Sequence, residues 1–243
     1  MGALPNKLTG FQDVEDDEVR AKFEGAWGCE IPATNGWNLT EMFEAMERDE
    51  LKAVYCIGEN PADSEADVKH ARAMLERLDV LVVQDVFLTR TAQMADVVLP
   101  AALGWAESDG TVTNSERRVQ RMRAAIPPPG EARQEIGIIN DLAAQMGDGG
   151  WGNPTAEELW EELRTVSPMH AGMSWERLET EGGIQWPCPT KDHPGSPFLH
   201  GRLWERPAGG RLAPFSCVED RRPLDELSDE FPLRLTTVRA LDS

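Results

Sequence analysis

Gly58-Glu59-Asn60-Pro61 closes a short apolar run and leads into an amphipathic stretch. A glycine turn at that point leaves backbone N–H groups free. The start of the helix that follows favours negative charge, so the loop suits a phosphate-bearing ligand. Glu59 or Asn60 would hydrogen-bond a base or a ribose, with Ser64 at the opening of the helix. A second polar pair, Gln84-Asp85, ends the next apolar run, and Asp85 stands 27 positions after Gly58. Nucleotide-binding folds place an acidic residue at such a strand tip to meet a ribose hydroxyl. Each feature alone also reads as an ordinary connection, since the loop has neither GxGxxG nor GxxxxGK[ST]. Taken together they put two polar strand ends on one sheet edge.

Other reactive residue types are scattered. His70, His170, His193 and His200 form no HExxH or H-x-x-H pattern, and no GxSxG is present. Cys29, Cys56, Cys188 and Cys217 lie in no CxxC pair and read as buried thiols. Glu157, Glu158, Glu161 and Glu162 read as a solvated helix face. Arg117, Arg118, Arg121 and Arg123 make one basic cluster, which would grip phosphates or pair with local acids.

The elements that must hold the polar edge follow from the hydrophobic pattern. Residues 51–57 and 80–84 are short apolar runs and read as buried strands. Between them Val68, Ala71, Leu75 and Leu78 share a helical face, with Ser64 and Asp67 as a cap pair. Strand, loop, helix and strand make a βαβ unit of a parallel sheet. A short helix over 91–95 and a third strand over 97–99 continue the pattern. Asp109-Gly110 reads as a turn between β-like runs. Upstream, a helix is expected within 15–24 and another from Asn38, which makes a capping box with Glu41. Residues 131–147 read as a helix with Ala132, Ile136, Ile139, Ala143 and Met146 on its buried face. Thr155 and Glu158 open a further one. Beyond 167 the periodicity fades, leaving a hairpin at Gly209-Gly210 and a strand over 232–238.

Composition limits the partners. The 243 residues carry 43 acidic and 24 basic side chains, a net charge of −19. That excludes nucleic acid and anionic membrane as expected partners, because both need a positive face. Only 5 of the basic residues are Lys. Few Lys, many Arg and an acidic excess fit a high-salt cytoplasm, or a G+C-rich genome with an acidic surface. No apolar stretch is long enough to span a membrane, and no leader peptide is recognisable. A cytoplasmic location is expected.

Several blocks together resemble one family: MGALP (1–5), CIGENP (56–61), VVQDVFLTRTAQMADVVLPAA (82–102), ESDGTVTNSERRVQ (107–120), GIQWPCP (183–189) and PLRLTTVR (232–239). They resemble the molybdopterin oxidoreductases, and within them the catalytic (alpha) subunits of formate dehydrogenases, with assimilatory nitrate reductases nearby. The resemblance runs the length of the chain.

The resemblance implies a middle-to-late slice of a large subunit. The fold class would be α/β, a Rossmann-like parallel sheet followed by an irregular segment and the first strand of a C-terminal β-barrel. The expected divisions are an irregular lead-in with a helix (1–50), the α/β dinucleotide-binding domain (51–166), an irregular extension with a hairpin (167–228) and the barrel start (229–243). The cofactor would be molybdopterin guanine dinucleotide with Mo or W. Gly58, Glu59 and Asn60 would lie against the nucleotide, with Ser64 near its phosphates and Gln84 and Asp85 at the guanosine. Ala101 would present backbone only, Glu135 would stand where relatives carry an Asp toward the guanine, and Arg239 would reach in from the barrel. No catalytic or metal-ligating residue is expected in this stretch. The metal-ligand Cys or selenocysteine, its His and Arg, and the 4Fe-4S cysteines would all lie upstream. The whole subunit would oxidise formate to carbon dioxide and pass two electrons to an iron–sulfur or NAD-reducing subunit, while this stretch alone would be inactive. The alternatives are another molybdopterin reductase of nitrate-reductase type, or a non-catalytic binding module derived from the family.

Overall fold

The computed structural model describes residues 4–149, 151–199, 216–220 and 226–235. Residues up to Leu199 form one compact unit, and those from His200 a second.

The first unit opens with a minimal antiparallel pair, β1 (Lys7–Leu8) and β2 (Gln12–Asp13). Helix α1 (Asp17–Trp27) starts at Asp16, whose carboxylate accepts from the Glu18 and Val19 N–H groups. It stops at Gly28, which takes a left-handed conformation. Helix α2 (Leu39–Glu47) begins with the expected capping box of Asn38 and Glu41 and buries Phe43, Ala45 and Met46.

Strand β3 (Ala53–Ile57), the short helices α3 (Pro61–Ser64) and α4 (Val68–Leu75), strand β4 (Val80–Asp85), helix α5 (Arg90–Met94) and strand β5 (Val97–Pro100) follow in order. The three strands are parallel, in the order β3-β4-β5, with Tyr55 opposite Val82 and Gln84 opposite both Ile57 and Leu99. Cys56, Leu81 and Val83 pack on Phe43, Met46, Ala71, Met74 and Leu75 from the helices. Side chains alternate across the sheet, so Tyr55, Val82 and Gln84 face the other way. On that face Ile57, Val80 and Val97 are exposed. Asp67 caps α4 by accepting from the His70 N–H. Ser64 is not part of that cap, because the chain first makes the separate turn of α3.

Strands β6 (Gly110–Thr113) and β7 (Arg118–Met122) form a hairpin. Its turn is Asn114–Arg117 and not Asp109-Gly110. The Asn114 side chain accepts from the Glu116 and Arg118 N–H groups, and Arg117 adopts positive φ. Helix α6 (Glu135–Gln145) is shorter than expected, since the Arg133 N–H donates to the Pro100 carbonyl and holds the preceding residues as an extension of β5. Its buried residues are Ile138, Asn140 and Ala143, while Met146 is exposed.

Helix α7 (Ala156–Val166) has the expected capping box of Thr155 and Glu158. Helix α8 (Trp175–Thr180) and strand β8 (Ile184–Gln185), which pairs with β7, occupy the stretch where periodicity fades. Val119, Trp160, Met173, Leu178, Ile184 and Cys188 form the core beneath them. Of the cysteines, Cys56 and Cys188 are buried, whereas Cys29 and Cys217 are exposed and free.

In the second unit the described residues carry no helix or strand, and this includes 232–235 of the expected barrel strand. The remainder of that strand, the Gly209-Gly210 hairpin and Arg239 lie outside the described residues. Among the described residues no helix is long and apolar enough to cross a membrane.

Candidate functional site

The carboxyl ends of β3, β4 and β5 bring together most of the residues singled out by sequence. Gly58 continues the ladder past the end of β3: its N–H donates to the Gln84 carbonyl at 2.9 Å. Its φ of 64° is a conformation glycine takes without strain, and open space lies where a Cβ would stand. Backbone can therefore be approached closely here. Glu59 is exposed beside it. The Cys56 thiol donates to the Glu59 carbonyl at 3.3 Å, and burial pushes this thiol up from its ordinary range.

Asn60 has its side chain committed inside the protein. Its oxygen accepts from the Thr91 N–H at 3.1 Å and the Thr91 hydroxyl at 2.8 Å, and its nitrogen donates to Asp63 at 3.1 Å. The Thr91 oxygen in turn accepts from the Ala62 N–H. Asn60 thus fixes the shape of the loop through α5. Ser64 is exposed at the far end of α3.

Asp85 closes β4. One carboxylate oxygen accepts from the Phe87 N–H at 3.0 Å, and its carbonyl accepts from the Ala101 N–H at 3.1 Å. Ala101 is buried and bridges in parallel to Arg133, so the sheet edge runs on from β5 to the start of α6. Glu135 is the first residue of α6. Its negative charge reaches Tyr55, whose phenol is pushed up first by burial and then by Glu135.

Gln84 lies beneath this edge and is 1% exposed. Its Oε1 accepts from the Tyr55 hydroxyl. Its Nε2 is buried without a hydrogen-bond partner. A buried donor left unmade is costly unless water or another group meets it, and Ser108 Oγ and Asn140 Nδ2 are buried in the same state.

Gly58, Glu59, Asn60, Gln84, Asp85, Ala101 and Glu135 therefore line one edge, while Ser64 stands off it. Sequence reasoning missed Tyr55, Thr91 and Arg133. The signal for Tyr55 was available: it is the chain's one tyrosine, and a half-buried phenol needs a partner for its hydroxyl.

The other face of α6 borders a cavity of about 570 Å³ lined by Arg121, Arg133, Asn140, Thr155 and Trp175 among others. Of the basic cluster only Arg121 lines it, and the cluster is largely neutralised. Arg121 and Arg123 both pair with Glu179, Arg118 lies near Glu116 and donates to the Gly183 carbonyl, and Arg117 donates to the carbonyls of Trp186, Ser196 and Pro197. Among the described residues no group of three or more His, Cys, Asp or Glu could hold a metal.

Residues 2–145 match the family model described as Molybdopterin oxidoreductase. The chain is similar to the F420-dependent formate dehydrogenase 2 subunit alpha of Methanococcus maripaludis, 43% identical over 243 residues, covering 99% of this chain and 35% of that protein. It is similar to formate dehydrogenase H of Escherichia coli, 38% identical over 242 residues, covering 98% of this chain and 33% of that protein. The chain thus spans about a third of the length of these relatives. Among solved structures, acetylene hydratase from Pelobacter acetylenicus aligns with a TM-score of 0.49 and 26% identity over 69% of this chain and 23% of that one.

Proposed function

Because this chain belongs to the molybdopterin oxidoreductase family, we propose that it is the nucleotide-cradling part of a formate dehydrogenase catalytic subunit. The reaction of the whole subunit is formate to carbon dioxide, with a proton and two electrons released. The cofactor is the guanine dinucleotide form of molybdopterin, with Mo or W, and an iron–sulfur cluster belongs to the remainder of the subunit. The electrons pass to an iron–sulfur or NAD-reducing partner subunit in the cytoplasm. When bound, the metal–pterin group supplies the two-electron chemistry.

The observation that carries this reading is the convergence of Gly58, Asp85, Ala101 and Glu135 on one sheet edge above the unpartnered Gln84 Nε2. The residues present fit a nucleotide. Gly58 lets the ligand approach the backbone, the Asp85 and Glu135 carboxylates accept from ribose hydroxyls or base N–H groups, and Gln84 lacks an acceptor. Asn60 and Thr91 hold the loop in shape rather than contact the ligand. Formate turnover requires groups outside this chain, so the chain alone is inactive.

Titration of the isotope-labelled full chain with GMP, followed by backbone NMR, tests the reading. Shifts are expected at 58–60, 85, 101 and 135. No shift there, or shifts confined to other surfaces, would sink it. Reduction of an artificial dye by formate with this chain alone would overturn the claim of inactivity.

A further inference from the structure

Asn140 stands in the middle of α6, is 9% exposed and lines the cavity of about 570 Å³. Its Nδ2 is buried with no hydrogen-bond partner. Asparagine is a poor helix former, and a buried amide left unmade is costly. This position thus carries two costs that nothing among the described residues offsets. Arg121, on the same lining, is held in one plane. Its guanidinium lies 3.4 Å from the centre of the Trp175 ring, its Nε donates to Glu179 at 3.2 Å, and its Nη1 donates to the Gly110 carbonyl at 2.6 Å. Its Nη2 meets no acceptor among the described residues. The capping box of α7 takes up the Glu158 N–H. It leaves the N–H groups of Ala156 and Glu157, which also line the cavity, as the unpaired donors of a helix start.

We propose that this cavity binds a small organic acid, a monocarboxylate with a short carbon body. The unmet groups are all donors: Asn140 Nδ2, Arg121 Nη2 and the start of α7. The ligand therefore brings acceptor oxygens, and a planar carboxylate matches a planar guanidinium. Charge separates the acids from the phosphates. Arg121 and Arg133 line the cavity, but so do Asp109 and Glu157, and Glu179 and Asp141 already pair with the two arginines. A doubly charged phosphate feels twice the repulsion from these carboxylates that a single charge does. Ile136, Pro154 and Trp175 give the lining apolar surface for a carbon body. Formate has no such body and would leave most of the volume to water. The inference stands on this cavity and not on the nucleotide reading of the strand ends.

The test is NMR titration of the full chain with pentanoate, read at the Asn140 side-chain amide, the Trp175 indole N–H and the backbone of Ala156. Formate, 1-pentanol and inorganic phosphate serve as comparisons. Pentanoate is expected to shift all three probes, and each comparison to bind about tenfold more weakly or worse, the worth of one charge-assisted hydrogen bond. Asn140→Ala removes the donor and improves the helix former. It is expected to weaken pentanoate about tenfold while the urea midpoint holds or rises. Arg121→Lys keeps the charge but loses the planar fork, and is expected to weaken pentanoate by a similar factor; if that variant does not fold, Asn140→Ala carries the test. No shift with pentanoate would mean that the cavity holds water only, and the inference falls. It falls equally if pentanol, formate or phosphate binds as tightly as pentanoate, or if Asn140→Ala keeps its affinity. A lower urea midpoint in Asn140→Ala would show that the amide serves the fold, and would also overturn the proposal.

Discussion

Asn60 and Thr91 are joined by two hydrogen bonds to a single atom: the Asn60 side-chain oxygen accepts both the N–H and the hydroxyl of Thr91. Thr91 is fully buried, so nothing from solvent replaces the oxygen if it is removed. Asn60→Ala is expected to cost roughly 2–3 kcal/mol, seen as a lower urea midpoint with an unchanged slope. Asn60→Asp keeps the acceptor and is expected to lose less. Equal losses in the two variants would refute the role given to that oxygen.

Glycine substitutions separate backbone strain from steric clash. Gly58→Ala adds no clash, since no atom lies within 4 Å of the new Cβ, but it holds alanine at φ 64°. A loss of about 1 kcal/mol is expected, and Gly58→Asn is expected to lose less because asparagine tolerates this region. Gly172 is the opposite case. Its φ is ordinary, yet a Cβ would stand well inside van der Waals contact with the Thr190 carbonyl. Gly172→Ala is therefore expected to destabilise by more, about 3 kcal/mol or above, at the upper end for an overpacked core. Equilibrium unfolding of the three variants decides the order.

His170 couples stability to pH. Burial lowers its pKa from 6.5 to about 4, and its Nδ1 lies 2.7 Å from the Ser167 hydroxyl. The unfolded chain binds a proton at a pH where the folded one does not. The stability that this neutral histidine represents is full above pH 6.5 and is lost as pH falls toward about 4. The shift corresponds to roughly 3 kcal/mol at most. His170→Gln is expected to flatten the pH dependence of unfolding between pH 6.5 and 4. A slope identical to wild type across that window would contradict the assignment.

Two arginines that share one acid should differ in worth. The Arg121 side chain is 10% exposed, its guanidinium lies 3.4 Å from the centre of the Trp175 ring, and it donates to the Gly110 carbonyl as well as pairing with Glu179. Arg123 is 57% exposed and has Glu179 as its acid partner. Arg123→Ala is expected to change stability by less than about 0.5 kcal/mol, as exposed pairs do. Arg121→Ala is expected to lose about 1–3 kcal/mol. Comparable losses, or a strong salt dependence for Arg121→Ala, would refute this ranking.

Local signals made half of the chain legible. The Asn38 and Thr155 capping boxes and the three parallel strands depend on residues a few positions apart, and they stand where the pattern put them. Signals that depend on partners far along the chain were not legible. The buried face of α6 is set by what packs on it: Ile138 and Asn140 face inward where Ile139 and Met146 were expected. Strand β8 has two residues and exists because β7 lies beside it. At the candidate site the strand ends could be read, but not the division of labour among them. Nothing in the spacing of Asn60 reveals that Thr91 takes up its oxygen, or that Tyr55 takes up the oxygen of Gln84.

The strand order β3-β4-β5 is also the order of synthesis. Each strand can dock on its predecessor as the chain elongates, with a short helical connection between them, so the polar edge assembles from nearby contacts and closes early. The antiparallel sheet follows another clock. Val119 of β7 must wait for Ile184, 65 residues later, before its second neighbour exists. Contacts so far apart carry a larger loop-closure cost and form slowly. The polar strand-end edge is thus expected to mature first in time, with the second core locking into place afterwards.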